Sequence, residues 1–136
     1  MKTTLQLFLT TAALGLAGCS SSPTFAPLAV PPSASVNQIE VTDRTGQKIR
    51  TITDPIAISK IIATLDRMDG PTEIPPYTFP GPQYSLSFAA PLHSDLPPIW
   101  VGANWIGGVV GEKAVLRNAS EVDLTQLKIA LEFQMP

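Results

Sequence analysis

After Met1 and Lys2 the chain enters an apolar run from Leu5 to Leu16, broken only by Gln6, Thr10, Thr11 and small residues. The run is about a dozen residues long, whereas a helix crossing the roughly 30 Å hydrocarbon core needs about 20, so the pattern predicts a signal-peptide core and not a membrane span. Ser20 to Ser35 follows, rich in Ser and Pro and without a charge. Such a stretch buries too little apolar surface to order itself and predicts a semi-extended spacer, with Phe25 and Leu28 its large apolar side chains.

From Val36 the pattern becomes that of a folded domain. Val36 to Thr42 alternates with Val36, Ile39 and Val41 on the inward side, Asp43-Arg44-Thr45-Gly46 is turn chemistry, and Gln47 to Thr53 returns as a second strand. In that second strand Ile49 and Ile52 have opposite parity, so only one faces the core unless a bulge intervenes. Asp54 is a good N-cap and Pro55 a good first helical residue. Ile58, Ile61, Ile62, Leu65 and Met68 then recur at helical spacing up to Gly70-Pro71, predicting a helix over 55–68.

Pro71 to Pro82 holds five prolines in twelve residues. It is excluded from any central strand or helix and reads as a long rigid loop. Tyr84, Leu86 and Phe88 alternate with serines as a half-buried strand, and Pro91 to Pro98 is a second connection. Ile99 to Ile106 reads as one further strand and Ala114 to Arg117 as a short one. Asp123 is expected to cap a last helix with Leu124, Leu127 and Leu131 on one face, Gln126 at the capping-box position and Val122 stapled onto Leu127. The order ββαβββα predicts an α+β fold, a small antiparallel sheet with two helices packed on one face.

The sharpest signal is Leu16-Ala17-Gly18-Cys19, which resembles the lipobox of bacterial lipoproteins. The resemblance implies cleavage before Cys19, a diacylglycerol on its thiol and acylation of the new amino terminus. The expected organisation is a signal peptide at 1–18, a lipidated cysteine and tether at 19–35, and one α+β domain at 36–136. One acyl chain holds a protein only marginally and two or three hold it firmly, so the chain is expected to be anchored without spanning. Ser20 in place of Asp resembles proteobacterial lipoproteins sent to the outer membrane, implying its inner leaflet and a domain facing the periplasm. The globular part is loosely similar to small bacterial lipoprotein domains of no assigned activity.

Composition narrows the chemistry. The formal net charge is -2, with 15% charged residues, and loss of Lys2 with the signal leaves 8 basic against 11 acidic side chains. No basic surface adequate for a nucleic-acid partner is expected, nor charge-driven membrane attraction. One cysteine and one histidine exclude an internal disulfide and the usual zinc ligand sets.

His93-Ser94-Asp95 has the residue types of a hydrolase triad, but three consecutive side chains do not converge as nucleophile, base and orienter, and no G-x-S-x-G elbow accompanies them. A solvated turn is the simpler reading. Asp66, Asp69 and Glu73 near a helix end invite a weak calcium site but match no EF-hand spacing; a solvated helix end fits them as well. Gly107-Gly108 and Gly111 lack phosphate-loop spacing and suggest a bulge or turn. Lys48 and Arg50 share a strand face with Arg44 nearby, which reads as a wet surface. No catalytic residue, metal or cofactor is expected.

In one uninterrupted strand Trp100 and Trp105 point to opposite faces, with Trp105 in the core. Trp100, Tyr77 and Phe79 are then candidates for an exposed aromatic partner-binding patch; the loop folding back to bury these rings is the other reading. The expected function is a membrane-anchored, non-enzymatic accessory module for an envelope protein partner. The alternative is a small-ligand-binding or enzyme-inhibitor lipoprotein.

Overall fold

The computed structural model describes residues 24–76, 78–92 and 96–132. The lipobox-like Leu16-Ala17-Gly18-Cys19, Tyr77 and His93-Ser94-Asp95 lie outside the described residues. The architecture is α+β: six antiparallel strands, β1 (Gln38–Asp43), β2 (Lys48–Ile52), β3 (Tyr84–Ala89), β4 (Ile99–Val101), β5 (Trp105–Val110) and β6 (Lys113–Asn118), with helices α1 (Pro55–Met68) and α2 (Glu121–Glu132). The order across the sheet is β2-β1-β3-β4-β5-β6.

Strands and helices follow one another as the sequence pattern predicts. The expected 99–106 strand is divided by a turn in which the Gly102 N–H donates to the Trp105 carbonyl (2.8 Å), and its second half runs on to Val110. Gly111, at φ 65°, turns β5 into β6, a backbone geometry costly for residues with a Cβ.

One face of the sheet carries the core. Ile39, Val41, Ile52, Leu86, Ile99, Val101, Ile106 and Val115 are buried in one cluster with Ile58, Ile61, Ile62, Leu65 and Met68 of α1 and Leu124, Leu127 and Leu131 of α2. Each such side chain contributes about 1.5–3 kcal/mol of transfer free energy, so this layer dominates the hydrophobic stabilisation.

Local signals place α1. Asp54 accepts from the Ile56 and Ala57 N–H groups (3.4 and 3.3 Å) with Pro55 in the first turn. At the other end the Arg117 guanidinium donates to the Met68 carbonyl, an acceptor the helix itself leaves unused. The start of α2 differs from expectation by one turn. Ser120 is the cap: its Oγ accepts from the Asp123 N–H (3.1 Å) and donates to the Asp123 carboxylate (3.0 Å). Asp123 is therefore the third helical residue, and Val122 is exposed instead of stapled. Serine satisfies the same orphan N–H groups one turn earlier.

The parity conflict in β2 resolves through a bulge. Val41 pairs with Arg50 and Thr42 with Lys48, leaving Ile49 as the extra residue. Ile52 is buried and Ile49 exposed. The bulge also separates two cations expected to share a face: Arg50 is buried on the helix side, while Lys48 reaches Glu40 on the other (3.3 Å).

Residues 24–35 depart from the expected free spacer. Phe25 exchanges two backbone hydrogen bonds with Thr72 (2.8 and 3.1 Å), the Thr72 hydroxyl donates to the Ala26 carbonyl, and the Leu28 N–H donates to Asp69 Oδ1 (2.9 Å). Leu28 is 4% exposed and belongs to the core cluster. Composition hides this docking because the partners, Asp69 and Thr72, are more than forty residues away in sequence.

Candidate functional site

The second face of the sheet is the candidate site. Cross-strand pairing puts Trp100 opposite Gly107 and Gly107 opposite Leu116, and Trp105 stands two positions from Gly107 on the same side of β5. Both tryptophans therefore share the face away from the helices. The parity argument fails because β4 and β5 are antiparallel neighbours joined by a turn. Trp105 is buried, at 2% exposure, yet lies outside the helix-side core cluster.

Towards β3, β1 and β2 the same face turns polar, with Ser85 beside Trp100, Ser87 beside Glu40, and Thr42 beside Lys48. The aromatic half lies over β4 to β6. It is floored by glycine: a Cβ on Gly102 would overlap the Trp105 ring, and one on Gly107 would sit 2.9 Å from it and 2.6 Å from the Val115 carbonyl. Gly107 thus serves close approach within a strand and not the bulge or turn expected of the Gly107-Gly108 pair, and Gly108 likewise lies inside β5, against Leu28 and the Pro98 carbonyl.

The proline-rich loop roofs this half. It leaves α1 past Thr72, and Glu73 exchanges backbone hydrogen bonds with Leu116 (2.9 and 2.8 Å), covering part of the β6 edge. Phe79 then tilts onto Trp105 with ring centroids 4.8 Å apart and planes at 58°, a favourable aromatic geometry. The Gln83 N–H closes the crossing on the Val101 carbonyl (2.8 Å). Of the expected patch, Phe79 and Trp100 are half-buried at this surface, and Phe79 is engaged in roofing Trp105. The reading in which the loop folds back holds for Phe79.

The Trp105 Nε1–H, buried under that roof, has no hydrogen-bond partner among the described residues. A buried donor without an acceptor costs about 1–3 kcal/mol, so this face carries a polar demand its own described residues do not meet. Sequence reasoning missed Trp105 as a surface-layer residue; the signal available was the glycine at 102, which breaks a strand pattern.

Two carboxylates away from this face, Asp69 and Asp43, hold backbone in place. Asp69 anchors the entering chain: its Oδ1 accepts from the Leu28 and Gly70 N–H groups (both 2.9 Å). Burial raises its pKa above the ordinary value, against the lowering effect of those bonds and of Arg117. It is neither the expected solvated helix end nor part of a metal cluster among the described residues. Asp43 organises the β1–β2 turn by accepting from the Thr45 hydroxyl (2.6 Å) and the Thr45 and Gln47 N–H groups, and the Thr45 hydroxyl bond above all lowers its pKa.

A cleft of about 400 Å³ beside the start of α1, bounded by Ser33, Val36, Asn37, Thr53 and Ile58, has no charged side chain in its lining. No described helix is long and apolar enough to cross a membrane. In comparisons with known proteins the chain matches no family model, no curated protein and no solved structure.

Proposed function

We propose that the protein is a lipid-anchored envelope module, attached through acyl chains on Cys19, that docks without catalysis on an envelope protein through the loop-roofed face of its sheet. The observation that carries the docking reading is the aromatic half-face itself: Phe79 and Trp100 at the surface around a buried Trp105 whose indole N–H meets no acceptor among the described residues. Aromatic side chains with one polar handle are enriched at recognition surfaces. The lipobox supports the anchor and an outer-membrane, periplasm-facing location. With its one cysteine used for lipidation and one histidine in the sequence, the chain offers few groups for catalysis. An indole N–H with no acceptor among the described residues also favours a second reading, a small ligand bearing a hydrogen-bond acceptor that displaces the roof.

Photocrosslinking in cells from positions 77, 79 and 100, with position 56 on the exposed start of α1 as control, tests the docking reading. The expected outcome is one recurring envelope protein captured from the loop-side positions, absent from position 56 and lost in Cys19→Ser. Capture from all positions alike, or from none while the protein is abundant and acylated, overturns docking through this face.

A further inference from the structure

The place where the chain enters the fold restricts how the domain stands on a membrane. We propose that the β6 edge, where Phe25 pairs with Thr72 and Ile74 is exposed, rests against the lipid bilayer that holds Cys19. The proposal rests on the lipid-anchor reading above.

Residues 20–24 separate Cys19 from Phe25, the first described residue whose backbone pairs with the domain. The six steps from Cys19 to Phe25 reach at most roughly 22 Å when fully extended, and a flexible chain of that length averages about 13 Å end to end. The polar headgroup layer is itself roughly 5–8 Å deep on each side. Phe25 and Thr72 are therefore held within a short distance of the headgroups. The docking of residues 24–35 is what makes the leash short: a free spacer to residue 35 would reach nearly three times as far.

The sheet order orients the rest. Thr72 and Glu73 run along β6, while β2 is the opposite edge, five strand spacings or about 24 Å away. The tethered edge carries its own apolar contact, since Ile74, two residues beyond Thr72, is 52% exposed and is followed by Pro75 and Pro76. The mature chain has an acidic excess, so net charge does not draw the domain to an anionic surface. Tether length and an apolar ridge act on the same edge.

The test uses the acylated full-length protein in vesicles of phosphatidylethanolamine and phosphatidylglycerol. Lipidation consumes the Cys19 thiol, so Ile74→Cys, Pro76→Cys and Ile49→Cys each carry one reactive thiol for a fluorophore; Pro76→Cys retains Ile74, and Ile49 lies on the β2 edge. Nitroxide-labelled headgroups then quench by proximity. The expected result is loss of most emission at 74 and 76 and little at 49. Equal quenching at the three positions, or stronger quenching at 49, in protein that floats with the vesicles and has the acylated mass, overturns the orientation while the anchor stands. Protein that neither floats nor carries acyl chains overturns the anchor reading and this proposal with it.

Discussion

The two faces of the sheet are covered by different means, one by helices and the other, over its β4–β6 half alone, by a loop. On one, two helices bring a run of Ile, Leu and Met side chains against Ile39, Val41, Leu86 and Val101. On the other, an irregular proline-rich segment brings one ring, Phe79, against Trp105 over a glycine floor. The helix-covered face draws on many interdependent contacts and should melt only with the whole domain. The loop-covered face draws on a few, leaves a buried donor without a partner among the described residues, and should open by itself.

Substitutions that separate the faces sharpen this contrast. Leu65→Ala, in the centre of α1 and fully buried, should cost about 2–5 kcal/mol and lower the midpoint of cooperative unfolding measured by circular dichroism. Gly102→Ala should come next, at about 1–3 kcal/mol. The added Cβ displaces the Trp105 ring, so a red-shifted tryptophan emission should accompany the loss. Phe79→Ala should cost about 1–2 kcal/mol, since Phe79 is only half-buried. It should leave the far-ultraviolet dichroism intact while making Trp105 more accessible to acrylamide. A fully cooperative loss on Phe79→Ala, equal to that of Leu65→Ala, would break the contrast between the faces.

The smallest effect concerns Asp69, which ties the entering chain to the end of α1. Burial raises its pKa in the fold, so ionisation is harder folded than unfolded. Its contribution is most favourable below the ordinary value of 3.8 and is lost as pH rises through the folded value. Asp69→Asn retains an oxygen acceptor for the Leu28 and Gly70 N–H groups. Denaturant titrations across the acid range should therefore show a smaller fall in stability between acid and neutral pH than in the parent, and a steeper fall would contradict this account.

The contrast also explains what could be read in advance. Helix α1 was legible to the residue because Asp54, Pro55 and the spacing of Ile58, Ile61 and Leu65 all agree. The hairpin and the Leu124, Leu127, Leu131 face were legible for the same reason. The start of α2 shifted because Ser120 and Asp123 both carry capping chemistry and only the three-dimensional path selects between them. The loop-covered face had no period to read: Phe79 meets Trp105 across an aperiodic segment, and the turn at Gly102 reverses the parity that assigned Trp105 to the core. The docking of Phe25 and Leu28 was hidden likewise, since low-complexity composition says nothing of a distant Asp69 or Thr72. The anchor proposed at Cys19, in contrast, rests on a purely local pattern in the sequence.

The most direct test of the two-face account is hydrogen exchange of the indole N–H groups, followed by nitrogen-resolved magnetic resonance on the intact domain. The account predicts that Trp105 Nε1–H exchanges faster than the Ile106 and Val115 amides of the same strands. It also predicts that Phe79→Ala accelerates the indole further with those amides unchanged. Exchange of the indole at the rate of these amides in both proteins would show that the two faces open only together.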